Sequence, residues 1–416
     1  MQKHYDILIV GSGIVGATAA LALAQTTSLK IALLDAKKIP HLLSLQEYGT
    51  RVSAITPAAQ RLFQRLHVWP AMVAKRISPY RKMHVWDAAG EAKLDFDSAD
   101  MQASHLGHII EDDVIRTSLV ESFKKFTNLE VFAPIQLLAM QELPQSIILH
   151  ADNQQSFSAS LIIAADGATS WVREQAGITL KNRSYENDAI VATVRTELPH
   201  QQTAYQRFLA SGPLAFLPLQ DAHTASIVWS TSAAEAQRLL ALDDAQFCAE
   251  LGAAFEFKLG NILHTGKRQC FNLQMRHAND YVKPRLALLG DAAHTIHPLA
   301  GQGVNMGLLD AASLTEVITK ALARGRDFAS IATLRRYERW RKAENLTMLA
   351  FVDGIKFIFA NNNKAFQSMR LLGLTMMDKM QVIKHFFANY AAGNRGDLPE
   401  LASCQLTPLN ARITTE

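Results

Sequence analysis

The stretch Tyr5-Asp-Ile-Leu-Ile-Val10 followed at once by Gly11-Ser-Gly13-Ile-Val-Gly16 constrains this chain more than any other feature. A short β-branched apolar run bounded by glycines reads as a buried parallel strand, and the Ala/Leu-rich segment Ala17–Ala24 after it reads as a helix. That order, strand then G-x-G-x-x-G then helix, is the dinucleotide-binding turn. Gly11 permits the tight turn, Gly13 lets the backbone approach a pyrophosphate, and Gly16 lets helix and strand pack closely. The helix N-terminus adds unpaired N–H groups and positive potential. A second strand, Lys30–Leu34, ends in Asp35, and 35 − 16 = 19 residues after the last glycine is the spacing of an acid that binds an adenosine ribose. The fingerprint does not separate NAD, NADP and FAD, because all three carry a pyrophosphate and that ribose. No second G-x-G-x-x-G occurs, so one dinucleotide is held by this device.

Composition sets the frame. The chain has 416 residues, 49% hydrophobic and 19% charged, which argues for large buried cores over two or three domains and against disorder. A net charge of +4 over that length is too weak to imply a nucleic-acid footprint, so no nucleic-acid partner is expected. Cys248, Cys270 and Cys404 are far apart and form no C-x-x-C pair, which fits a reducing cytoplasm. The uncharged run Ile7–Leu29, 23 residues long, has the length of a membrane span, but its strand, glycine and helix texture assigns it to the nucleotide-binding unit.

Further along, Thr56–Leu66 and Asp112–Phe126 have helical spacing. Strands are expected within Arg81–Phe96, near Leu129–Phe132, Ile135–Met140 and Ile147–His150, and at Leu161–Ala165. Between Ala189 and Thr231 the texture turns to strands, which suggests a separate antiparallel substrate domain. Leu286–Leu289 returns to a buried parallel strand, and a long helix is expected from about Val304 to Ala323. Beyond Ala329 the pattern is helical almost to Gly393. The fold class is therefore α/β: a discontinuous Rossmann-like nucleotide-binding domain (1–75, 106–180 and 276–330), an antiparallel-sheet substrate domain (76–105 and 181–275) and a C-terminal helical region (331–416).

Two more motifs follow predicted strands: Asp166-Gly-Ala-Thr-Ser170-Trp-Val-Arg173 and Gly290-Asp291-Ala-Ala-His294. Acids at the carboxyl ends of parallel strands lie where such folds bind ligands. With the N-terminal fingerprint, they resemble the three sequence marks of class A flavin-dependent aromatic hydroxylases. The loop Pro298-Leu-Ala-Gly301-Gln302-Gly303-Val-Asn305 is similar to the family segment lying against the flavin ring. Further stretches narrow the likeness to the ubiquinone-biosynthesis hydroxylases, and among them to those acting at C5 of the ring. These are Arg51-Val-Ser-Ala-Ile-Thr, Ser104-His-Leu-Gly-His-Ile-Ile-Glu111, Phe216-Leu-Pro-Leu, Ser226-Ile-Val-Trp229 and His294-Thr-Ile-His-Pro-Leu-Ala-Gly-Gln-Gly303. Asp112 departs from the family's usual Glu-Asn pair, and Arg116 stands where the family often has Gln or another polar residue.

The resemblance implies FAD as cofactor and NAD(P)H as a transient reductant. One atom of dioxygen would pass to the electron-rich ring of a polyprenylated phenol. It implies cofactor contacts at Gly11, Gly13, Gly16, Asp35, Arg51, Arg116, Asp166, Asp291, Gly301, Gln302 and Gly303, and a substrate contact through the Pro298 carbonyl. His294 and His297 form an H-x-x-H, but Pro298 breaks the helical spacing and no third ligand is evident, so no metal site is expected. A bilayer-resident substrate calls for peripheral contact with the inner membrane or delivery by other ubiquinone-biosynthesis proteins. The region Asn345–Tyr390 mixes Lys356, Lys364, Arg370, Lys379 and Lys384 with six phenylalanines. It reads first as an aromatic core with a solvated face and second as a membrane or partner surface. Arg335–Lys342 reads as a surface helix with Glu338 and Glu344 as ion partners. Two other classes stay open: a nicotinamide dehydrogenase, which leaves the second and third motifs idle, and a non-catalytic FAD-binding subunit.

Overall fold

A computed structural model describes residues 2–39, 47–88, 93–296, 303–360, 393 and 396–404. Along the chain the elements used below are β1 (Gln2–Val10), α1 (Ile14–Thr26), β2 (Ile31–Leu34), α2 (Asp112–Ser122), β3 (Ser156–Ala164) and β4 (Leu180–Thr196). They continue with β5 (Gly212–Pro218), β6 (Thr224–Ser232), α3 (Ala233–Ala241), α4 (Asp244–Ala254), β7 (Gln269–Ala278), β8 (Leu286–Leu288), α5 (Gly303–Leu322) and α6 (Ile331–Ala360).

Among the described residues the first sheet has eight strands, and its central order is β8, β3, β1, β2, then Leu129–Phe132, all paired in parallel. The inner strands are buried on both faces, from Ile7 to Ile9 and Ile31 to Leu34 to Leu161–Ala164. That burial explains their continuous apolar character. Helices α1 and α5 pack into the same core, and α1 is buried nearly all round because its face is Ala-rich.

The second sheet has nine strands among the described residues. Its path runs His294–Thr295, β7, β4, β6, β5, Thr203–Leu209, Lys82–Asp87, Lys93–Asp97. Every pairing is antiparallel except Thr203–Leu209 with Lys82–Asp87, which run parallel. The expected antiparallel texture thus holds with one exception, made possible because the long stretch between those two strands returns through the first sheet. One face is covered by α3 and α4, burying Ile190, Ala192, Ile227, Phe216, Leu239, Phe247 and Leu251 together. The strand texture read to Thr231 gave no hint of these two helices. Their signals are local caps: the Ser232 side chain accepts from the Glu235 N–H and Asp243 from the Gln246 N–H.

Two expectations are corrected. The helix read as Asp112–Phe126 ends at Ser122 and tightens into a single 3-10 turn over Phe123–Lys125. The Arg335–Lys342 stretch is not wholly a surface face, because Tyr337 and Arg341 turn inward and are buried. The sequence counted Arg341 among the solvated charges, since its acid partner lies 31 residues away on another helix. Helix α6 runs to Ala360, and the rest of the expected C-terminal helical stretch lies outside the described residues.

Candidate cofactor site

Strand register brings the three motifs together. Val10 pairs with both Leu34 and Ala164, and Ala164 pairs with Leu288. The residues just past these positions, Gly11, Asp35, Ala165-Asp166 and Leu289-Gly290-Asp291, therefore line one edge of the sheet side by side. Four carboxyl ends of adjacent parallel strands form the crevice where open α/β sheets hold ligands.

The glycines divide by function. Gly11 has φ +102, and a Cβ there would lie 2.3 Å from the Ala165 carbonyl oxygen, so the turn abuts the second motif. A Cβ on Gly16 would lie 1.9 Å from the Gly11 carbonyl oxygen, which makes it the packing glycine between helix and turn. Gly13 is different. It caps α1 at φ −63 with no side-chain partner, and nothing lies within 4 Å of where its Cβ would be. The space beside its Cα at the helix N-terminus is open, as the cradle for a pyrophosphate requires.

Asp35 is held by the turn it faces. Its Oδ2 accepts from the Ser12 N–H at 2.7 Å and from the Ser12 hydroxyl at 2.5 Å. Arg116, on α2, donates through Nε to the Ser12 carbonyl and through Nη2 to the Ser12 hydroxyl, both at 2.9 Å, and its Nη2 lies 3.7 Å from Asp35 Oδ2. Arg51 lies on the other flank. It pairs with Asp112 at 3.4 Å and its guanidinium lies over the Phe271 ring of β7, so it links the start of α2 to the second sheet. Asp112 also accepts from the Ser53 hydroxyl at 2.5 Å, and burial pushes its carboxyl up against the pull of Arg51 and Ser53.

Asp166 and Asp291 complete the crevice. Asp166 Oδ2 accepts from the Val172 N–H at 3.1 Å, while its Oδ1 is buried and has no hydrogen-bond partner among the described residues. Burial raises the Asp166 carboxyl against hydrogen bonds from Ser170 and the helix entry that lower it. Asp291 is exposed, yet surrounding protein raises its carboxyl, opposed by His294, Arg51 and Arg276. Arg173 ties the motifs to each other by donating to the Ala168 carbonyl at 3.0 Å and the Ala292 carbonyl at 2.9 Å. An open phosphate cradle, an orphaned buried carboxylate oxygen and an accessible acid between them fit FAD, whose pyrophosphate and hydroxyls would satisfy those groups. Gly303 opens α5, and Asn305 anchors that end by donating to the Ala54 carbonyl at 2.7 Å. Pro298, Gly301 and Gln302 lie outside the described residues.

A surface that the sequence did not disclose adjoins this site, with Phe271 under Arg51 at its edge. The side of the second sheet away from α3 and α4 carries Ala215, Leu217, Val228 and Phe271, all partly accessible. Ala215 pairs with Val228, and Val228 with Val191, giving one apolar cross-strand row. On the same side of β7, Met275 packs with Ile296 and Met306 beside the third motif. A period-2 alternation marks both faces of such a strand, but only the packing of α3 and α4 shows which one stays open.

The model of the FAD binding domain family matches residues 4–351. This chain belongs to that family of flavin monooxygenases. The monooxygenase is 36% identical over 388 residues to the 3-demethoxyubiquinol 3-hydroxylase of Escherichia coli, covering 93% of this chain and 98% of the relative. It is 34% identical over 392 residues to the ubiquinone hydroxylase UbiL of Rhodospirillum rubrum, covering 94% and 90% of the two chains. The crystal structure of p-nitrophenol 4-monooxygenase from Pseudomonas putida superposes with a TM-score of 0.76 at 17% identity, over 98% of this chain and all of that one, and shows the shared fold. The relatives are ubiquinone-biosynthesis hydroxylases, and the monooxygenase uses FAD with NAD(P)H as reductant. No helix among the described residues is long and apolar enough to cross a membrane.

Proposed function

We propose that this monooxygenase hydroxylates C5 of a polyprenylated phenol in ubiquinone biosynthesis, converting 2-polyprenylphenol to 2-polyprenyl-6-hydroxyphenol. The observation that carries the reading is the row of strand-end acids together with an open apolar face on the second sheet, whose Phe271 lies under Arg51. The acids suit a polyol cofactor and the face suits an aromatic ring with an apolar tail. In this reading the Gly11–Gly16 turn and the α1 N-terminus bind the pyrophosphate. Asp35 holds the adenosine ribose, with Arg116 fixing the turn beside it. Asp166 and Asp291 accept from cofactor hydroxyls, and Arg51 spans the gap to the substrate sheet. When bound, FAD supplies the oxygen-transfer chemistry after reduction by NAD(P)H. The protein's part is to orient the ring against Ala215, Leu217, Val228 and Phe271 and to keep water from the reacting atoms. A prenylated substrate resides in the bilayer, so peripheral membrane contact or handover from other enzymes of the same synthesis belongs to the proposal.

A second reading, hydroxylation of 3-demethoxyubiquinol, is favoured by the name of the Escherichia coli relative. Deletion of the gene and mass identification of the accumulated intermediate separates the two. The C5 reading expects 2-polyprenylphenol, the second expects 3-demethoxyubiquinol, and accumulation of neither overturns both. The purified protein is expected to be yellow, with NAD(P)H oxidation that speeds up when a prenylated phenol is added.

A further inference from the structure

We propose that Arg341 and Asn345, on the C-terminal helix α6, are positioning residues for FAD: they hold Asp310, and Asp310 holds the turn that presents Asp291. The inference rests on the reading that Asp291 faces the bound cofactor.

Asp310 lies on α5 with no accessible surface. Its Oδ1 accepts from Arg341 Nε at 2.8 Å and Asn345 Nδ2 at 3.2 Å. Its Oδ2 accepts from the Gly290 N–H at 3.2 Å and meets His294 Nε2 at 2.5 Å. Gly290 and His294 bracket Asp291. One carboxylate therefore clamps both ends of the short turn that leaves β8. Arg341 also donates to Asn345 Oδ1 at 3.0 Å, and Asn345 Nδ2 reaches the Tyr281 hydroxyl at 3.3 Å. Burial pushes the Asp310 carboxyl up, but His294 and Arg341 together hold it well below the usual carboxylate range. The charge is thus kept in a site closed to bulk solvent.

Stability alone is a poor reason for such a cluster. A buried ion pair replaced by apolar residues of similar volume is often neutral or stabilising, because desolvation offsets the attraction. What apolar residues cannot supply is an acceptor for the Gly290 N–H and for His294. The particular contribution of Asp310 is therefore to the turn, and Arg341 and Asn345 keep that carboxylate ionised and aimed. His294 extends the clamp to the second sheet, since it pairs with His277 on β7.

The test uses purified holoenzyme of the double variant D310L/R341M, which removes the pair without stranding a charge. FAD release into cofactor-free buffer is expected to speed up roughly tenfold, the loss of about one charge-assisted hydrogen bond, while the FAD-stripped protein still unfolds cooperatively with only the modest loss of melting temperature that the unsatisfied Gly290 N–H and His294 cause. The single variant R341K, which keeps the charge, is expected to release FAD more slowly than R341M. A folded double variant that retains FAD as the wild type does overturns the proposal. Should the double variant not fold, N345L removes one donor to Asp310 and must still speed release about threefold; no change there overturns it equally. Asp291→Ala, measured alongside, separates the two levels. If it releases FAD no faster than the wild type, the reading of the site fails; if it does and D310L/R341M does not, only this inference fails.

Discussion

Replacing Gly13 by alanine should separate cofactor binding from folding. Gly13 has φ −63 and ψ 178, a conformation open to any residue, and its Cβ would meet nothing within 4 Å. Alanine at a helix N-cap is worse than glycine by up to about 1 kcal/mol. Against this, a stiffer unfolded chain returns about 0.4 to 1 kcal/mol, so the FAD-free protein should change by less than about 1 kcal/mol. The cofactor sees a different change. The new methyl occupies the space a pyrophosphate needs and moves it off the helix N–H groups. A hydrogen bond to a charged group contributes about 1.5 to 3 kcal/mol, so losing one weakens FAD binding roughly 10- to 100-fold. Gly16→Ala is the counterpart. Its Cβ would lie 1.9 Å from the Gly11 carbonyl oxygen, backbone that cannot swing aside, and the fold itself should lose on the order of 3 kcal/mol. Quenching of flavin fluorescence gives the affinity, and melting of the FAD-free protein gives the stability. Unchanged FAD affinity in Gly13→Ala, or melting as low as that of Gly16→Ala, would refute the assignment of the open space to the cofactor.

Arg116→Met removes two 2.9 Å bonds to Ser12 and should weaken FAD binding about tenfold, read in the same titration; equal affinity would leave Arg116 as mere surface packing. Val228→Glu places a charge on the open sheet face, where it should raise KM for a prenylated phenol and leave FAD affinity untouched; an unchanged KM would move the substrate elsewhere. Burial lowers His108 to about 3 and His277 to about 4, so both are neutral in the folded protein. Because the folded values lie below the unfolded one, their stabilising effect is complete above about pH 6.5 and is lost as pH falls through the folded values. Each steepens the loss by up to about 1.4 kcal/mol per pH unit. Urea unfolding at several pH values should therefore show a shallower acid slope in His108→Phe, and an identical slope would contradict the buried neutral state.

Local chemistry determined much of this molecule from the residues alone. The glycine turn, the strand before it and the acid after the next strand are written in consecutive residues, because a tight turn and a fully buried strand each demand particular side chains at adjacent positions. Asp166 and Asp291 were legible in the same way, each just past an apolar run. Packing decided the rest. Register, not sequence distance, set Asp35, Asp166 and Asp291 along one sheet edge. Which face of the second sheet stays open depended on α3 and α4 covering the other. Arg341 looked like one charge among several on an exposed helix, yet it is buried because Asp310 meets it from α5. Contacts between residues far apart in the chain leave no periodic trace along it, so only the folded chain can show them.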